Sequence, residues 1–199
     1  MVGFEYPLGI HLRRHGPAGY DDYESYRQWL RDEFLFRCVY CLHREQWYGR
    51  GPTFHIEHSV PVAQCEAAEC EYSNLLYACA TCNESKKAIL NVPDPCAVAF
   101  QQCLQIRNDG HVEALNSNGE ILKRVLKLDS ESNVRARCRW MRILETCRTS
   151  DPTLYQELLS FPKDLPDLRK MRPPSNSKPE GTLNCHFALR ERGELPATY

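Results

Sequence analysis

Residues 74–83 read Asn-Leu-Leu-Tyr-Ala-Cys-Ala-Thr-Cys-Asn, NLLYACATCN. A short apolar run, Leu75 to Ala78, leads directly into a CxxC pair, Cys79 and Cys82. The lysine-bearing segment NESKKAIL then reads as a helix, which Pro93 and Pro95 end. Upstream, Cys38-Val39-Tyr40-Cys41 forms a second CxxC, separated from the first by the span 42–78. A CxxC loop turns two thiolates toward one point, and two such loops complete the tetrahedron that zinc prefers. Sulfur fills all four positions, so the expected zinc is structural and holds no open place for substrate.

The composition sets the frame for that reading. A chain of 199 residues buries about 70% of its unfolded surface and folds without disulfides. Its hydrophobic fraction of 42% and charged fraction of 26% are those of a soluble globular protein, and no apolar run reaches the length of a membrane span. MVGFEYPLGIHLRRHG lacks the apolar core of a signal peptide, which places the protein in a reducing cytoplasm. There, clustered cysteines hold metal more often than they form disulfides. Of the 11 cysteines, Cys65, Cys70, Cys96, Cys103, Cys138, Cys147 and Cys185 lack paired spacing and read mostly as small buried hydrophobes, with Cys65 and Cys70 as alternative ligands. A net charge of -1 gives no global attraction to nucleic acid, so phosphate binding would need a local patch or a bound cation.

Four regions follow. Residues 1–37 are an N-terminal segment with an amphipathic helix over 21–37, DDYESYRQWLRDEFLFR, in which Tyr23, Tyr26, Leu30 and Phe34 fall at helical spacing. Residues 38–92 are the core between and just beyond the knuckles. In 93–161, the Asn118-Gly119 pair predicts a β-hairpin between 111–115 and 121–128, followed by a helix over 133–147 and a shorter one opened by Asp151-Pro152. Residues 162–199, rich in Pro, Ser, Asn and Lys, read as an extended C-terminal arm.

Between the knuckles, after Gly51-Pro52, lies Phe54-His55-Ile56-Glu57-His58-Ser59-Val60-Pro61. With Glu57-His58, Pro61, Asn74-Leu75, Cys79-xx-Cys82-Asn83 and Lys86 or Lys87 in that order, residues 38–90 resemble the HNH endonuclease family. The resemblance implies an α+β protein with a zinc-stabilised ββα-metal core: a strand ending at Glu57-His58, a long loop, a second strand and a helix from about Cys82. It further implies that His58 is the general base, that Glu57 and Asn83 hold one Mg²⁺ or Mn²⁺, that Asn74 braces the loop, and that Lys87 or Lys86 reaches the substrate phosphate. The expected products are a 5′-phosphate and a 3′-hydroxyl. The chemistry needs such groups: phosphodiester hydrolysis requires an activated water and a cation to stabilise charge on phosphorus and the leaving oxygen, and histidine titrates near neutrality. Glu57 stands where the family more often has Asp or His, and Asn83 where it has its last His; both keep an oxygen donor, which suits a hard cation.

Two other readings compete. His55-Ile56-Glu57 with Cys79-xx-Cys82 imitates the HxE…PCxxC signature of zinc nucleobase deaminases, although Ala78 replaces its proline. Alternatively, the knuckles fold a zinc-ribbon binding module in which His58 and Asn83 are idle. Between 121 and 148, Lys123, Arg124, Lys127, Arg135, Arg137, Arg139, Arg142 and Arg148 outnumber Asp129, Glu131 and Glu145. Arg135, Arg139 and Arg142 share helical spacing and are read as a stripe for the DNA backbone, the alternative being a solvated face. CVYCLHREQW and the terminal GELPATY are similar to segments of small bacterial HNH proteins, which are often attached to phage defence, restriction or mobile elements. The expected partner is DNA, with a homodimer or a regulatory protein as further options.

Overall fold

The computed structural model describes residues 3–47 and 53–199, so the Gly51-Pro52 turn lies outside the described residues. The elements, in order, are β1 (Pro17–Ala18), α1 (Arg27–Glu33), β2 (Phe54–His58), β3 (Leu75–Cys79), α2 (Ala80–Lys86), β4 (Leu104–Ile106), β5 (Val112–Ala114), α3 (Ser117–Val125), α4 (Glu131–Ser150), α5 (Pro152–Leu159), β6 (Ser175–Asn176), α6 (Glu180–Leu183) and α7 (His186–Glu191). Helix and strand are mixed, and the strands form three separate antiparallel pairs: β1 with β6, β2 with β3, and β4 with β5. No helix among the described residues is long and apolar enough to cross a membrane.

The amphipathic N-terminal segment is helical, but over less than its full predicted length. It starts as a 3-10 turn at Tyr23–Tyr26, capped by the Asp22 side chain, and runs into α1. It stops at Glu33 because Leu35 and Phe36 take left-handed backbone angles, φ 56° and 53°. Trp29 and Leu30 face the interior, and the left-handed turn swings the chain into the first knuckle, where Cys38 accepts a hydrogen bond from the Leu42 amide. The Val39 amide donates to the Tyr77 carbonyl at 3.0 Å, tying that knuckle to β3.

Strands β2 and β3 pair from Phe54 opposite Cys79 to His58 opposite Leu75. Every residue of β3 is buried, which explains why LLYAC shows no polar alternation: both faces are covered. Helix α2 follows β3 without a linker, so Cys79 and Cys82 sit on either side of a strand-to-helix junction.

Two expectations fail here. Asn118-Gly119 does not turn a hairpin: it lies in the first turn of α3, whose N-cap Asn116 accepts from the Gly119 amide at 3.0 Å. Glycine is required there because a Cβ would collide with the Cys103 carbonyl, a close-packing demand that mimics a turn signal. The hairpin is β4–β5 instead, closed through Gly110 at φ 79°. Nor are residues 162–199 an extended arm. They form β6, α6 and α7 and fold back onto the N-terminal half through the buried Leu165, Leu168, Cys185 and Ala188. These anchors are too widely spaced among Pro and Ser to stand out in composition. The Tyr199 ring stacks on Phe161 with centroids 4.4 Å apart, and the Arg44 guanidinium lies 3.9 Å from its centre.

Candidate active site and metal centre

The four knuckle cysteines converge. Cys38, Cys41, Cys79 and Cys82 are all buried, and their sulfurs lie within 4.8 Å of one another. Cys41 and Cys79 approach to 3.6 Å. A zinc–sulfur bond of about 2.3 Å places the sulfurs of a tetrahedral site about 3.8 Å apart, so the spacing fits. Hydrogen bonds with Cys38, Cys41 and Cys82 draw the Cys79 thiol far below its ordinary range, whereas contacts with Cys38 and Cys79 push Cys41, and contacts with Cys38, Cys41 and Cys79 push Cys82, well above theirs. Four sulfurs this close cannot all be thiolates unless a cation sits among them. Cys65 and Cys70 are outside the cluster, and of the seven remaining cysteines only Cys103, Cys147 and Cys185 are buried, fewer than the sequence reading expects.

Next to this centre, β2 delivers Glu57 and His58. The His58 ring is half-buried; its Nε2 lies 3.0 Å from the Glu69 carbonyl, and Tyr23 meets it edge-on at 5.0 Å. A carbonyl only accepts, so Nε2 carries a proton, and in the neutral ring Nδ1 holds the lone pair. The loop that supplies Glu69 is held by Asn74. Its Oδ1 accepts from the Val60 amide at 2.7 Å, and its Nδ2 donates to the carbonyls of Val60 and Ala68 at 3.0 and 3.1 Å. Asn74 is itself buried and precedes β3, so one side chain ties both ends of the β2–β3 connection together.

Glu57 points inward and is 4% exposed. Its Oε1 accepts from Lys86 Nζ at 2.8 Å, and the same ammonium donates to the His58 carbonyl at 2.7 Å. Oε2 is buried without a partner among the described residues. Burial raises the Glu57 carboxyl above its usual range, against the lowering by Lys86. Lys86, the alternate to Lys87 as the lysine for a substrate phosphate, is fully buried: it stands one turn after Asn83, and the last turn of α2 aims it at Glu57 and the His58 carbonyl. Asn83 is half-buried and stands one helical turn before Lys86 on α2. Lys87 is exposed at the helix end, with φ 47°.

Residues 38–88 match the family model for HNH endonucleases. No curated protein matches the chain. At family level the match implies a nuclease acting on nucleic acid, and the HNH segment encloses the four cysteines, Glu57, His58, Asn74, Asn83 and both lysines.

His55, which the deaminase reading needs beside Cys79 and Cys82, is exposed on β2 opposite Ala78 and is not part of the four-cysteine group. Outside the HNH segment, Arg135, Arg139 and Arg142 are exposed and line one shallow groove on α4 with Cys138, Ile143 and Thr146. The patch is less basic than the sequence count implies. Arg137 is buried and donates to the carbonyls of Gly110 and Leu128, Arg135 pairs with Glu131, Arg148 with Glu145, and Lys123 with Asp129.

Sequence reasoning missed two features. The Glu69 carbonyl that fixes the His58 tautomer is a backbone group, which no residue type announces. The second is a buried carboxylate network on α1. Asp32 accepts from His15 at 2.7 Å and from both the amide and Nδ1 of His186 at 2.8 Å, while Glu33 accepts from His11 at 2.8 Å and Tyr72 at 3.0 Å. Burial alone would raise both acids, but hydrogen bonds from His15 and His186 to Asp32, and from His11 to Glu33, hold them well below the usual carboxylate range. Two adjacent acids inside the apolar run WLRDEFLF were the available signal.

Proposed function

We propose that the chain is a metal-dependent HNH endonuclease that hydrolyses DNA phosphodiester bonds, with β2, β3 and α2 as a ββα-metal core. The observation that carries the reading is the His58 ring, held by a backbone carbonyl at Nε2 so that Nδ1 is the basic nitrogen. In the reaction, the water oxygen bonds to phosphorus, its proton passes to His58 Nδ1, and the bond to the 3′ oxygen breaks as that oxygen takes a proton from a solvent water, leaving a 5′-phosphate and a 3′-hydroxyl. Asn74 fixes the loop that sets the imidazole's direction. Glu57, through its unpartnered Oε2, and Asn83 offer hard oxygen donors that fit Mg²⁺ or Mn²⁺. Such an ion would stabilise charge on the phosphorane and the leaving oxygen. Zinc in the four-cysteine centre would be structural. Lys87, exposed at the end of α2, takes the phosphate-binding role, and the groove of Arg135, Arg139 and Arg142 provides a backbone contact. A cytoplasmic setting in bacterial defence, restriction or a mobile element accords with this chemistry.

A second reading, a zinc-ribbon binding module without catalysis, draws on one observation: Glu57 already has a cationic partner in Lys86. Supercoiled plasmid, incubated with wild type or His58→Ala in Mg²⁺ or Mn²⁺ and with chelator, separates the two. Metal-dependent nicking that disappears in the variant is expected. DNA binding without nicking by the wild type would favour the binding module.

A further inference from the structure

The Glu57–Lys86 pair bears on how the site acquires its cation. Lys86 Nζ is 2.8 Å from Glu57 Oε1, and the side chains are 1% and 4% exposed, so water screens the pair little. The pair is electrically neutral, and the other expected ligand, Asn83, is neutral as well. A hard divalent ion seeks several anionic or strongly polar oxygens. Here it would meet one carboxylate whose charge is cancelled, one amide, and a buried ammonium that repels it. The carboxylate is not fully engaged, however: Oε2 is buried and unpartnered among the described residues, which leaves one directed ligand position.

We propose that Lys86 makes cation binding at Glu57 conditional on substrate. The free protein holds the divalent ion weakly, and the phosphate of the bound nucleic acid supplies the negative charge that Lys86 has cancelled. Lys86 is then a positioning residue: it orients Glu57, ties down the His58 carbonyl, and couples the two binding events. Linkage makes the effect reciprocal, so the cation tightens substrate binding by the same factor. The proposal rests on the nuclease reading.

The test is Mn²⁺ binding to the zinc-loaded full chain, followed by the electron paramagnetic resonance of free Mn²⁺, with and without a phosphorothioate duplex. Only binding that Glu57→Gln abolishes is counted. The wild type should bind at least about tenfold more tightly with duplex present. Lys86→Gln, which removes the charge, should tighten binding to the free protein by about tenfold and shrink the enhancement by duplex. Lys86→Arg, which keeps the charge, should retain the enhancement. Equal wild-type affinity with and without duplex overturns the proposal, as does a folded Lys86→Gln whose free-protein affinity is unchanged. If Lys86→Gln does not fold, the wild-type comparison still decides. Metal-dependent plasmid nicking without enhancement by duplex defeats the coupling alone; no nicking and no Glu57-dependent Mn²⁺ binding defeats the nuclease reading with it.

Discussion

The β2–β3–α2 unit supplies Cys79 and Cys82 to the four-cysteine centre, whose Cys38 and Cys41 come from the knuckle after α1, and Glu57 and His58 to a second site, yet the two are organised on opposite principles. In the first, four identical donors close on one point and bury it completely. In the second, each group is committed on one side and keeps capacity on the other: His58 is held at Nε2, which leaves Nδ1 as the other ring nitrogen, and Glu57 is held at Oε1, with Oε2 unpartnered among the described residues. A closed donor set suits a centre that holds the fold. Half-satisfied groups suit a site that must accept a proton and a ligand. The difference teaches that burial marks neither role by itself; what separates them is whether bonding capacity remains.

The largest effect that would break the comparison concerns the closed centre. Cys79→Ala, or stripping the metal with a strong chelator, should abolish cooperative unfolding, because the binding energy of a structural metal is folding energy of order 10 kcal/mol. Calorimetry showing an unchanged transition would mean that the sulfurs are merely packed.

A smaller effect should come from Asp32, which is buried and fully bonded and has no free side. Its folded carboxyl is depressed below its unfolded value, so its contribution is fully present above pH ~4 and is lost as pH falls from there through the folded value. Asp32→Asn should cost about 3 kcal/mol at pH 7, since it leaves His15 and His186 without their carboxylate. Its stability should also fall less steeply below pH ~4 than that of the wild type. Urea unfolding at several pH values reads both, and parallel curves would count against the assignment.

The smallest effect is expected on α4. Reversing the charge of Arg139 and Arg142 should weaken duplex binding several-fold and lower its salt dependence by about two units in slope, with thermal stability unchanged. An unaltered salt slope would make the stripe a solvated face.

Sequence legibility followed the same division. The four cysteines could be read as one centre because CxxC spacing states both donor and geometry. The order of Glu57, His58, Asn74 and Asn83 makes them candidates, but it does not give their orientations. Those depend on the Glu69 carbonyl and on Lys86 turning inward, and both are consequences of how the loop and α2 pack. Lys86 was misread because spacing along a helix gives a face and does not say whether that face meets solvent. Gly119 was misread because close packing against Cys103 and a tight turn demand the same residue. The C-terminal segment was misread because a few buried anchors, Leu168, Cys185 and Ala188, outweigh a polar composition.

The central claim is that His58 Nδ1 accepts the proton from the attacking water. Its most direct measurement is single-turnover cleavage of an end-labelled duplex in Mg²⁺ by the zinc-loaded wild type and His58→Ala, each with and without added imidazole. The wild type should cleave to 5′-phosphate ends, and His58→Ala should be slower by about 10²–10⁴-fold. Imidazole should restore part of the lost rate in His58→Ala without accelerating the wild type. Wild-type cleavage matched by His58→Ala in the absence of imidazole would contradict the account.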